Sequence, residues 1–110
     1  MRRGDIVLVA DRAGADFAGK PRPAVVVQSE LFEDTGSIAL CLLTTQAMGA
    51  PLLRVPVAAS LASGLDRPSW IAVEKLTTVR RARVAATMGR ITDEEAVALN
   101  RSLLVFLGFA

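Results

Sequence analysis

The sequence predicts a mainly β fold, a small antiparallel, barrel-like sheet with one helix at its C-terminal end. Three observations predict it. Short apolar, β-branched runs recur along residues 4–88, and the segments joining them are too short for the crossover helices that parallel strands require. From Thr92 onward, apolar side chains fall instead at spacings of three and four. The change of period is marked by Thr92 and Glu95, the two ends of a capping box. At 110 residues, 52% hydrophobic and 22% charged, the chain fits one domain, 1–110, with a single modest core.

Taken in order, Gly4–Ala10 reads as a strand apolar on both faces, hence buried, with Asp5 at its mouth. Residues 11–23 form a loop with two glycines and two prolines. Ala24–Gln28 is the second strand. Ser29 is a cap for a short helical turn, and Gly36 a turn. Ile38–Gln46 is the most apolar strand, which places it centrally. Leu52–Val57 holds Pro56, which places it at a sheet edge. Ser60–Leu65 reads as a single turn closed by Gly64. Ser69–Val79 is a long strand, and a basic, irregular stretch follows it with a short strand over Ala85–Met88. In the final helix Ala96, Leu99, Leu103, Phe106 and Leu107 make one apolar stripe, Asp93, Glu94 and Glu95 favour its N-terminus, and Gly108 ends it.

Composition narrows the chemistry. The formal net charge is +2, which permits an anionic partner without demanding one. There is no histidine and no tyrosine, which excludes a Ser-His-Asp triad, a His/Cys metal site and a paired-histidine nuclease. Any catalysis falls to Arg, Lys, Asp, Glu, Ser or Thr, with no metal or other cofactor expected. Cys41, the one cysteine, lies in an apolar run and reads as a core residue. With no disulfide framework, no signal peptide and no apolar run long enough to span a bilayer, the expected compartment is the cytoplasm.

Three stretches stand out. In KPRPA, Pro21 and Pro23 bracket Arg22. A guanidinium on a stiffened turn suits phosphate recognition, because little freedom is lost on binding; the same prolines also suit a plain turn into a strand. In LLTTQ, Thr44 and Thr45 end the most apolar strand and Gln46 follows; hydroxyls there either point at a ligand or reflect the liking of threonine for strands. In VEKLTTVRRAR, Lys75 and the cluster Arg80, Arg81 and Arg83 read as a phosphate track or as solvated surface. Trp70 reads as a stacking platform for a base or as packing.

In their order along the chain these stretches resemble the MazF/PemK toxins of bacterial toxin–antitoxin pairs. RRGDIVLVA is similar to the first strand of that family, GKPRPAVVVQ to its RPA segment, CLLTTQ to its segment ending in Thr-Ser or Thr-Thr, and VEKLTTVRRARV to its acidic-Gln segment. VALNRSLLVFLGF is similar to its closing helix, so the resemblance spans nearly the whole chain. It implies an SH3-like barrel, a homodimer, and a metal-independent endoribonuclease that cuts single-stranded RNA at preferred sequences. It also implies silencing by a cognate antitoxin that occupies the RNA groove with an acidic, disordered tail. Arg22 takes the place of the catalytic arginine and Thr44 that of the catalytic serine or threonine. Asp16 lies where many members carry glutamate, with one extra residue between its stretch and Arg22. Lys75 stands where glutamine is common, a change that bears on base preference. Lys20, Thr45, Gln46, Lys75, Arg80 and Arg81 complete the expected RNA-binding set.

The implied chemistry suits a chain without histidine. The 2′-OH of the substrate attacks its own phosphate, leaving a 2′,3′-cyclic phosphate and a 5′-OH. Arg22 would stabilise the phosphorane and protonate the leaving oxygen, Thr44 would hydrogen-bond a non-bridging oxygen or the 2′-OH, and Asp16 would orient Arg22. Two other readings share the fold: a CcdB-like toxin that poisons DNA gyrase through its C-terminal helix, here with Phe106 and Phe109, and an inactive homologue that only binds antitoxin.

Overall fold

In the computed structural model, which describes residues 1–10 and 21–110, each apolar run forms a strand of one antiparallel sheet. The strands are β1 (Asp5–Val9), β2 (Arg22–Val26), β3 (Ser37–Thr44), β4 (Arg54–Val57), β5 (Ser69–Arg80) and β6 (Val84–Arg90). Their spatial order is β4-β5-β3-β2-β1-β6, so β3 is central and the proline-bearing β4 is an edge. A 3₁₀ turn, Glu30–Phe32, is capped by Ser29 and joins β2 to β3. The helix α1 (Asp93–Phe106) starts in the expected capping box: Thr92 Oγ1 accepts from Glu95 N at 3.1 Å, and Glu95 Oε1 accepts from Thr92 N at 2.8 Å. Gly108, at φ +85°, ends it, with Phe109 N donating to the Leu104 carbonyl. No helix among the described residues is long and apolar enough to cross a membrane.

Strand alternation splits the apolar residues into two clusters. On one face Ile6, Val25, Cys41, Leu43, Val55, Ile71 and Val73 pack with Leu99 and Leu103 of α1. On the other face Val7, Val9, Ala24, Val26, Ile38, Leu40 and Val79 form a smaller cluster. Cys41 is fully buried, and burial pushes its thiol up to about 12. The expected helix stripe is buried only in part: Leu99 and Leu103 are covered, whereas Phe106 and Leu107 at the helix end are exposed.

β5 bends sharply. Its partner on β3 changes from Cys41↔Leu76 to Leu43↔Ile71, so four β5 residues are accommodated against one on β3. β6 is longer than the sequence suggests, seven residues, and bulges twice against β1. The two sheet edges are then brought together by the segment after β4, where Arg90 N donates to the Ala62 carbonyl at 2.9 Å. Asp5 ties the other end, its carboxylate accepting from Arg2 N at 2.8 Å and from Arg90 Nη1 at 2.6 Å. The closure needs two glycines. A Cβ on Gly89 would overlap the Ala62 carbonyl oxygen and the Ser63 backbone, and one on Gly64, at φ +74°, would overlap the Met88 carbonyl. Gly89→Ala is therefore expected to destabilise the fold by about 1–3 kcal/mol, measured by urea unfolding, because backbone rather than a flexible side chain must yield.

Candidate functional site

Arg22 opens β2 rather than sitting in the preceding turn. It pairs with Val9 of β1, and the β2–β3 ladder begins only at Ala24, so both prolines fall outside that ladder. The guanidinium is exposed. Beside it lies a recess of about 150 Å³ lined by Leu42, Val79, Thr77, Thr78 and Arg83. Arg83 is held to the end of β1 by reciprocal bonds, its Nε donating to the Ala10 carbonyl at 2.9 Å and Ala10 N donating to the Arg83 carbonyl at 2.8 Å. Thr77 lies opposite Leu40, so its hydroxyl shares the recess face, whereas the side chain of Thr78 points to the other side; two cations and one hydroxyl around a small recess suit an oxyanion. Thr77, Thr78 and Arg83 were absent from the expected set; the basic run after β5 was the signal, but it pointed equally to its neighbours.

Thr44 ends β3, half-buried, where its Oγ1 accepts from Gln46 N at 3.1 Å. Extending the Ala24↔Leu42 register by two residues sets Arg22 level with Thr44, on the face that carries Ala24 and Leu42. Thr44 does not line the recess beside Arg22, so the two side chains share a face and an edge of it rather than one cavity. Thr45 and Gln46 are exposed just beyond.

The segment after Thr44 is fastened by a residue that the sequence pattern hid. Arg54 of β4 is 7% exposed. Its Nε and Nη2 donate to the two carboxylate oxygens of Glu74 at 3.2 and 2.6 Å, and its Nη1 donates to the Gln46 carbonyl at 3.0 Å. The Nη2 also approaches Met48 Sδ at 2.6 Å. The Arg54 hydrogen bonds hold the Glu74 carboxyl below its ordinary value. This fork joins β4, β5 and the TTQ segment in one network.

The other expected positions are scattered. Lys75 and Arg80 are exposed on β5. Arg81 turns away from Arg22 and bonds the turn after β2, with Nε on the Thr35 carbonyl and Nη2 on the Phe32 carbonyl. Asp16 and Lys20 lie outside the described residues.

Comparison with known proteins places this geometry. The model of the PemK-like, MazF-like toxins of type II toxin–antitoxin systems matches residues 2–107. A probable endoribonuclease MazF of Mycolicibacterium smegmatis is 40% identical over 110 residues, covering 100% of this chain and 99% of its own. Two solved structures share the fold. An endoribonuclease in complex with its cognate antitoxin, from a mycobacterial species, superposes with a TM-score of 0.78 at 18% identity, over 100% of this chain and 97% of that one. A MazE–MazF complex from Deinococcus radiodurans superposes with a TM-score of 0.78 at 20% identity, over 100% and 98%. With its match running from the first strand to the closing helix, the chain belongs to the PemK-like, MazF-like toxins of type II toxin–antitoxin systems.

Proposed function

We propose that this toxin is a sequence-preferring endoribonuclease that cuts single-stranded RNA without a metal, leaving 2′,3′-cyclic phosphate and 5′-OH ends. The observation that carries the reading is the exposed Arg22 guanidinium on the same sheet face as Thr44, one strand away. A scissile phosphate lying across β2 and β3 meets a fixed cation on one side and a hydroxyl on the other. The 2′-oxygen forms a bond to phosphorus as the bond to the 5′-oxygen breaks; one proton leaves the 2′-OH and one reaches the departing 5′-oxygen. Arg22 neutralises the charge that gathers on the non-bridging oxygens, and Thr44 hydrogen-bonds one of them or the 2′-OH. Arg83 and Thr77 seat the neighbouring backbone, with Lys75, Arg80, Thr45 and Gln46 farther along. Asp16 and Lys20 keep the roles that the family resemblance gives them.

The working form is a homodimer in the cytoplasm. Leu104, Val105, Phe106, Leu107 and Phe109 are each at least 41% exposed, and Leu52, 57% exposed, lies with Val105 and Phe106, so the end of the helix and the segment before β4 form a contiguous apolar face suited to a second subunit. Sedimentation at micromolar concentration should give a dimer. The protein relative solved with its cognate antitoxin supports a like partner here, whose acidic, disordered tail would compete with RNA for the cationic face. The function is tested by incubating the purified toxin with an unstructured RNA in EDTA and mapping the new ends. Discrete cuts with cyclic-phosphate ends support the reading; intact RNA overturns it and leaves the CcdB-like or inactive alternatives.

A further inference from the structure

Trp70 lies next to the cleavage residues in a way its place in the sequence does not reveal. It sits directly opposite Thr44 across β3 and β5, and directly opposite Pro56 across β5 and β4. Opposed residues of an antiparallel pair point to the same side, with Cβ atoms roughly 5 Å apart. With Arg22 level with Thr44, the four residues form one row across the sheet: a guanidinium, a hydroxyl, an indole and a proline ring.

At the far end of the row the indole is half-buried and lines a slot of about 300 Å³ with Pro56, Gly49, Pro51 and Arg54. The wall of the slot is fixed. The Ala50 carbonyl accepts from Leu53 N at 2.9 Å and from Arg54 N at 3.0 Å, and the Arg54 guanidinium holds the Gln46 carbonyl. The slot is therefore a largely apolar cleft with a braced wall, and its Trp70 side lies about one strand spacing, ~5 Å, from Thr44. A nucleobase offers an aromatic face to the indole, and it reaches such a cleft from a phosphate seated at Thr44 through its own sugar.

Resting on the endoribonuclease reading, we propose that this slot is a base subsite: Trp70 stacks the nucleobase adjoining the phosphate held by Arg22 and Thr44, with Pro56 and the Gly49–Pro51 turn beside it. Stacking on a π-face tolerates every base, so the subsite sets the position and strength of binding rather than the letter read.

The chain has one tryptophan, so its fluorescence reports this contact without labels. The probes are short 2′-O-methyl oligonucleotides, which lack the nucleophile and stay intact, with binding followed in parallel by the anisotropy of a 3′-fluorophore. The expected result is quenching of Trp70 on the same concentration scale as the anisotropy rise. Trp70→Ala should weaken binding about 5- to 150-fold and Trp70→Phe no more than about threefold. An abasic residue walked along the oligonucleotide should weaken binding to the wild type at one position while leaving binding to the Trp70→Ala protein unchanged there. If RNA binds and is cut but fluorescence, Trp70→Ala affinity and the abasic walk are all unaffected, the subsite is wrong and the nuclease reading stands. If the wild type neither binds nor cuts RNA, both fall. Quenching by an acidic peptide but not by RNA would assign the slot to a protein partner and overturn the proposal.

Discussion

Arg22→Ala is expected to slow RNA cleavage about 10²- to 10³-fold, the effect of removing one fixed donor from developing phosphorane charge, while leaving the melting temperature almost unchanged. The two halves of this expectation have separate grounds. Among the described residues, Arg22 makes no ion pair, and its guanidinium is exposed, so its removal opens no cavity and strands no buried partner. Its place is held by the backbone, through pairing with Val9 and the prolines on either side, so the strand survives the substitution. Arg22→Lys keeps the charge but loses the planar fork, and should recover only part of the rate. Cleavage of an unstructured RNA under single-turnover conditions, beside thermal melts of the three proteins, measures both halves. Full activity in Arg22→Ala would remove the residue from the mechanism.

Among the charged residues described, Arg54 is the most deeply buried, and Arg54→Met should cost about 3 kcal/mol in urea unfolding. It strands a carboxylate that β5 holds against β4 and frees the Gln46 carbonyl that the guanidinium anchors. The lower end of the range for a broken buried pair applies, since the Glu74 side chain is 24% exposed and water can partly replace the partner. The same pair gives a pH signature. Glu74 titrates below its ordinary value of 4.5 in the folded chain, so its contribution is fully present above that pH and is lost as pH falls through the lowered folded value. The stability gap between wild type and Glu74→Gln should therefore be constant at neutral pH and close as the solution is acidified below about 4.5. A gap that persists unchanged at pH 2 would mean that the Arg54–Glu74 charge pair is not its source.

Residues whose role is set by near neighbours were legible in the sequence. The Thr92–Glu95 box, the edge position of the strand holding Pro56 and the central place of β3 each follow from a few adjacent side chains. The PRP and TTQ stretches could be marked as candidates for the same reason. What depends on register was hidden. The bend in β5, where four residues face one, decides which of its side chains reach the Arg22 recess, and nothing local to Thr77 announces it. The basic cluster after β5 was visible as a cluster, but the 3₁₀ turn over Arg81–Arg83 sends Arg81 and Arg83 to different neighbours. Arg54 left a faint trace, a charged residue inside the apolar LLRVPV run, yet its partner lies twenty positions away. The two bulges in β6 likewise have no signature in RVAATMGR, and the strand looked shorter than it is.

The burial of Cys41 gives the chain an internal clock. Its sulfur is sealed at the centre of β3 and burial raises its thiol above the ordinary range, so at neutral pH alkylating or disulfide reagents find neither access nor thiolate in the closed molecule. Reaction must wait until β3 parts from its neighbours. The labelling rate of the one thiol thus reads how often the sheet opens, and a subunit or antitoxin that clamps the sheet will slow labelling in proportion to its hold, whether or not it touches the sulfur.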